Sequence, residues 1–221
     1  MAAAGPVEIF NQPIVLTIVT LLPIMNPFST APLFVSLTAG YDEKRRNREA
    51  RLACLYAFGL LVTFLLLGAA IIDFFGISVP GIRVAGGLII SAIGFRMLLP
   101  PATTANGARH PVESELEIAF TPLAMPSLAG PGSLSVVVTA ASQIKANHPE
   151  QFAFVYAGVT VGMAFTVLIA FIVLRGAAWL ARVLGPSGLD AMTRIFGFLL
   201  VAIGMQFLLT GISDFFGLAH A

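Results

Sequence analysis

Of 221 residues, 57% are apolar and only 10% are charged, with 18 phenylalanines and a mean hydropathy of +0.93. A soluble domain carries about a quarter charged residues, so this chain lacks the polar surface to stay in water and reads as an integral membrane protein. The net charge of +1 says nothing of partners, because the charges are segregated by loop, while the single cysteine, Cys54, excludes an intramolecular disulfide or a thiolate metal cluster.

The start does not read as a cleaved secretory signal. It has no basic residue before Pro6, Glu8 follows, and the alanines precede the apolar run. The first span is therefore expected to stay in the mature protein. Residues 9–40 are uncharged throughout, and these 32 residues would extend about 48 Å as one helix, against a hydrocarbon core of about 30 Å. Tilt absorbs only part of that excess. With Pro23, Pro27 and Pro32 inside it, the run predicts two half-helices joined by a non-helical piece around residues 26–32.

Segment 41–51 follows, with Lys44, Arg45, Arg46, Arg48 and Arg51. Residues 52–72 make a second span and 77–99 a third, the latter with Arg83 and Arg96 near its ends, where most such arginines snorkel to headgroups. The connection at 101–117 carries Arg109 and a solvated cluster of Glu113, Glu115 and Glu117. Residues 118–144 are again uncharged, with Pro122, Pro126 and Pro131 inside, and invite the same broken reading as the first run. Spans five and six are expected at 152–174 and 195–213. With six spans, ten of the twelve Lys and Arg fall on one side, which the positive-inside rule assigns to the cytoplasm, leaving both termini outside.

An internal repeat organises these spans. The proline triplets at 23, 27, 32 and 122, 126, 131 match at an offset of 99 residues. Gly87, Gly94 and Leu98 match Gly197, Gly204 and Leu208 at an offset of 110. The first block belongs to spans one and four and the second to spans three and six, so each half holds three spans and the second enters the membrane upside down. The expected architecture is an all-α membrane protein of six transmembrane helices, arranged as two inverted three-helix repeats with helices 1 and 4 broken by proline motifs. A single membrane domain covers 1–221, with repeats at 1–100 and 118–217.

Freed backbone groups inside a bilayer are tolerated only against protein or a water-filled cavity. A matched pair of broken spans therefore points to a binding site, although prolines and glycines are also frequent as plain packing kinks. The candidates are Asn26, Pro27, Ser29 and Thr30 at the first break, and Pro126, Ser127, Ala129, Gly130 and Gly132 at the second. A half-helix starting after a break offers N–H groups to a carboxylate, and one ending before it offers carbonyls to an ammonium group. Together they would complement a small zwitterion without a charged side chain. Gly87, Gly94, Gly197 and Gly204 read as helix-packing residues. Arg83 is expected to pair with Asp73 across the short outer turn, and the twin strings Asp73-Phe-Phe-Gly76 and Asp214-Phe-Phe-Gly217 read as interfacial anchors.

No enzyme signature is present. His110, His148 and His220 lie in connections or the tail, with no His-Glu-x-x-His pair, no Gly-x-Ser-x-Gly elbow and no phosphate-cradling Gly-Lys-Ser/Thr loop. No metal or cofactor is expected. The basic cluster at 44–51 lacks aromatic interleaving and is explained by topology, so nucleic-acid binding is unsupported.

The strings Asn26-Pro27-Phe-Ser-Thr-Ala-Pro32, Gly76-Ile-Ser-Val-Pro80-Gly-Ile-Arg83, Ile93-Gly-Phe-Arg96-Met97 and Pro122-Leu-Ala-Met-Pro126-Ser-Leu-Ala-Gly-Pro-Gly132 carry a resemblance over nearly the whole chain. The chain resembles the MarC family of bacterial inner-membrane proteins, which includes small neutral amino-acid transporters of the SnatA type. The resemblance implies a six-span secondary transporter whose broken first and fourth helices meet at a substrate such as glycine or alanine. Some relatives are thought to be proton-coupled, which implies proton or ion coupling here, yet no carboxylate lies mid-span to carry the proton. The alternatives are a passive channel or exporter for another small polar solute, and a membrane accessory protein that transports nothing. The residues indicate no oligomeric state.

Overall fold

A computed structural model describes residues 6–99, 119–147 and 151–218, and among them every regular element is helical. The expected connection at 101–117, with Arg109, His110 and the three glutamates, lies outside the described residues, as do His148 and His220.

The first apolar run folds as α1 (Pro6–Met25) and α2 (Pro27–Leu37), bent by 45°. The break is Asn26 alone, at φ 39° and ψ 65°. Pro27 has no N–H, so the hydrogen-bond ladder cannot pass through it, and asparagine tolerates the left-handed backbone that the turn requires. Asn26 then starts the next helix, its Oδ1 accepting from the Ser29 N–H at 3.2 Å. The expected non-helical piece over 26–32 thus shrinks to one residue. Pro27 sits in the first turn, where a missing donor costs nothing, and Pro32 is carried within α2.

The second proline-rich run breaks differently. Ala119–Leu128 is a π-helical segment, Ala129 and Gly130 leave the helix, and α5 (Pro131–Asn147) begins at the third proline. Wide turns persist to the end of the π segment, where the Ala129 N–H reaches back five residues to the Ala124 carbonyl at 2.8 Å. Both runs are interrupted, but one break precedes the middle proline of its triplet and the other the last. They lie about one helical turn apart in the register of the repeat.

Between these runs stand α3 (Glu43–Phe75), started by the Asp42 side chain, and α4 (Val79–Leu98), started by Ser78. At 33 residues α3 spans about 50 Å, so its basic first turns extend beyond the hydrocarbon as helix rather than as the loop expected at 41–51. After α5 come α6 (Phe152–Arg175) and α7 (Ala177–Phe216), the latter kinked at Gly185. Among the described residues, four helical stretches are long and apolar enough to cross a membrane: α3, α4, α6 and Asp190–Phe216 of α7. The bent α1–α2 pair counts as a fifth.

The twin Asp-Phe-Phe-Gly strings close α3 and α7 in the same way. Gly76 (φ 63°) and Gly217 (φ 64°) adopt the left-handed conformation, and the next residue's N–H reaches back to Ile72 and Ser213 respectively, both at 3.0 Å. The phenylalanines stay exposed, as an anchor in headgroups requires. An alanine at Gly76 or Gly217 would strain that cap, so each change is expected to lower stability by about 1 kcal/mol, read as earlier thermal unfolding in detergent.

Packing between α4 and α7 is close and antiparallel. A Cβ on Gly87 would lie 2.6 Å from the Gly204 carbonyl oxygen, and one on Gly94 would lie 2.7 Å from that of Gly197. These four glycines pack helices, as their spacing predicts. At one end of the same seam Arg83 pairs with Asp214, not with the expected Asp73. The reason is the seam itself, which brings the last turn of α7 beside the first turn of α4, where Gly211 meets Pro80 and Arg83.

Candidate functional site

Both breaks open onto one cavity of about 590 Å³. From the first come Asn26, Ser29 and Thr30, and from the second Ser127, Gly130 and Gly132. These are six of the nine candidates read from the sequence. Pro27 and Ala129 are buried in the helix packing instead of lining the cavity. Pro126 lies in the π segment, and its side chain is outside the described residues.

The sequence dictates what the walls offer. Pro27 cannot donate, so the Pro23 carbonyl at the end of α1 loses its helical partner. Ile24, Met25 and Asn26 bring that helix end to the cavity. On the other side, α5 starts with a proline, so the N–H groups of Gly132 and Ser133 in its first turn have no preceding turn to bond. The Leu134 N–H folds back onto the Gly130 carbonyl at 3.0 Å, and the Ser133 hydroxyl donates to the Leu128 carbonyl at 3.1 Å, which secures the edge of the break. The carbonyl end of one helix and the positive start of another thus border one cavity, whose remaining wall is mostly apolar (Leu33, Ile89, Ile93 and Leu200), an arrangement that could complement separated opposite charges.

The side chains add specific capacity. The Asn26 Nδ2 donates to the Met97 sulfur at 3.8 Å, a weak bond, and the Thr30 hydroxyl donates to the Asn26 carbonyl at 3.3 Å. The Ser29 hydroxyl is different. Its oxygen is buried and makes no hydrogen bond to the protein among the described residues. Leaving a buried hydroxyl unmatched costs about 1–3 kcal/mol.

Arg96 also lines this cavity, which the sequence reading missed. Placed by that reading as a snorkelling residue at a span end, it stands in the wall with Ile89 and Ile93, spaced i, i+4 and i+7 on α4. The site therefore includes one cation, contrary to the expectation of a site without charged side chains. The periodicity was the available signal, because the glycine seam of α4 already fixes which faces remain. Away from this cavity, Glu49 is fully buried, because α3 is already helical there and turns it to the same side as Ala53 and Ala57. Among the described residues no cluster of three His, Cys, Asp or Glu could hold a metal ion.

Comparison with known proteins finds related membrane proteins over nearly the whole chain. Residues 11–216 match the model of the family described as MarC family integral membrane protein. The chain is 37% identical over 215 residues to the inner membrane protein MarC of Escherichia coli strain K12, covering 93% of this chain and 96% of that protein. The same values hold for the inner membrane protein MarC of Shigella flexneri. No solved structure matches the chain.

Proposed function

The chain belongs to the MarC family of integral membrane proteins, and from that premise we propose that it is a secondary transporter of small neutral amino acids such as glycine or alanine. It works by alternating access between two inverted three-helix halves in the bacterial inner membrane. Both termini are outside, and the basic helix ends are in the cytoplasm. The observation that carries this reading is the shared cavity: two helix breaks, distant in sequence, supply backbone groups and an unmatched hydroxyl to one small space. In this assignment the α5 start and Arg96 meet the carboxylate, the α1 end meets the ammonium group, and Ser29 and Asn26 add polar contacts. The cavity volume lies within the usual range for small-molecule sites.

Packing supports the inverted halves. The 110-residue offset maps Gly87 onto Gly197 and Gly94 onto Gly204. Gly87 meets Gly204 and Gly94 meets Gly197, which is the exchange that a two-fold axis in the membrane plane produces. Other contacts come in matching pairs: α1 packs on α6 as the π segment packs on α3, and α2 packs on α7 as α5 packs on α4.

A passive channel of the same fold would need a continuous polar path. Instead, Ile24, Ile90 and Leu200 pack together in the interior, with exposures of 8%, 0% and 1%, and Val136 and Ile203 pack against them. This apolar barrier favours a carrier. In proteoliposomes, radiolabelled alanine should accumulate by counterflow, with unlabelled substrate on the far side stimulating uptake. Gly130→Leu should lower uptake by roughly tenfold or more while insertion and monodispersity stay intact. Unchanged uptake in that variant, or no movement of any amino acid in a panel tested with and without a pH gradient, would overturn the assignment.

A further inference from the structure

A second cavity lies apart from the one between the breaks. It has a volume of about 750 Å³, stands on the other side of the Ile24–Ile90–Leu200 barrier, and is walled by the middle of α1, the second half of α5, and the ends of α4, α6 and α7 nearest Arg83. Its lining is amphipathic in a particular way. Thr17, Thr20 and Thr139 supply hydroxyls, Gln143 and Gln206 supply carboxamides, and Arg83 is the one charged residue among them. Its pairing with Asp214 balances that charge and fixes the guanidinium at the wall. A glutamine on a membrane helix is costly against lipid, so placing it on a water-filled space is the economical solution.

Thr139 carries an unmatched hydroxyl in this wall. It is 4% exposed, and its hydroxyl makes no hydrogen bond to the protein among the described residues. Its neighbours on α5 behave otherwise. Ser135 and Ser142 each donate one turn back, to the Pro131 and Val138 carbonyls at 2.8 and 3.2 Å. Thr17 likewise donates to the Pro13 carbonyl at 2.7 Å, and the Gln206 amide donates to the Thr210 hydroxyl at 3.3 Å. Thr139 thus differs from Thr17, Ser135 and Ser142, whose hydroxyls are each satisfied one turn back.

We infer that this second cavity is a binding site for a small zwitterionic solute, on the opposite side of the barrier from the first. Neutral donors and acceptors, together with one guanidinium that has five N–H groups to share, suit a carboxylate beside an ammonium group. Only the choice of ligand rests on the transport reading above. The cavity and its unmatched hydroxyl stand without it.

Saturation binding of radiolabelled alanine to the full chain in lipid nanodiscs tests this. Wild type should show two saturable components; Thr139→Val should remove one and Gly130→Leu the other. Gln143→Met serves as the second outer variant should Thr139→Val be lost on size exclusion. Outer variants that leave the curve unchanged while Gly130→Leu reduces it would overturn the second site and spare the first. If Thr139→Val abolishes all binding and Gly130→Leu none, the second site stands and the transport assignment falls. Absence of alanine binding to wild type overturns both. Displacement of the second component by phosphoethanolamine at concentrations far below those needed of unlabelled alanine would assign the cavity to lipid headgroups and overturn the proposal.

Discussion

Replacing Asn26 with leucine should abolish uptake and lower stability by about 2–3 kcal/mol. Two separable losses make up that figure. The residue sits at φ 39°, a conformation that costs an ordinary L-residue about 1–2 kcal/mol. Its side chain also caps α2, and loss of such a cap costs about 1 kcal/mol. Asn26→Gly separates the break from the amide. Glycine accepts the left-handed backbone and loses only a few tenths of a kcal/mol at a cap position, so the variant should fold nearly as well as wild type. Its uptake should still fall by roughly tenfold, because the amide facing the cavity is gone. Normal uptake by Asn26→Gly would mean that the first break matters for its shape alone.

The other large effect is structural. A Cβ on Gly204 would lie 2.3 Å from the Ser91 hydroxyl oxygen and 2.7 Å from the Gly87 carbonyl oxygen, far inside contact distance. Gly204→Leu therefore cannot be accommodated by a rotamer change, since backbone of α4 stands in the way. Expected is a loss of about 3 kcal/mol or more and of monodisperse protein on size exclusion. Gly59→Ala on α3 is the control. Nothing lies within 4 Å of its added Cβ, so that change should be neutral or slightly stabilising. If Gly204→Leu matches the control in thermal unfolding, the glycine seam is not what holds α4 against α7.

Much of this was legible in the residues alone. The runs of uncharged residues gave the helices, because hydrocarbon demands them at a set length. Glycines seven residues apart gave the α4–α7 seam, because close backbone approach needs an absent side chain. The break at Asn26 was visible as the residue before a proline at which an asparagine can take the left-handed turn. Less could be read of the second break. Prolines at 122 and 126 were absorbed into a π-helical segment, which depends on wide-turn hydrogen bonds that no short motif announces. The Arg83 partner was equally hidden. Local spacing offered Asp73, whereas Asp214 arrives only through helix pairing across 131 positions of sequence. Arg96 was misread because its charge was taken to draw it to the headgroups, while helix phase turns it to the cavity wall.

Gly132 sits against two residues of the apolar barrier, its absent Cβ leaving room for Ile90 at 3.0 Å and Ile24 at 3.3 Å. Its own N–H belongs to the first turn of α5, and Ile24 stands two positions before Asn26. On the transport reading proposed above, a solute held at these helix ends would bear directly on the barrier, because at this one position a hydrogen atom stands where any other amino acid would place carbon.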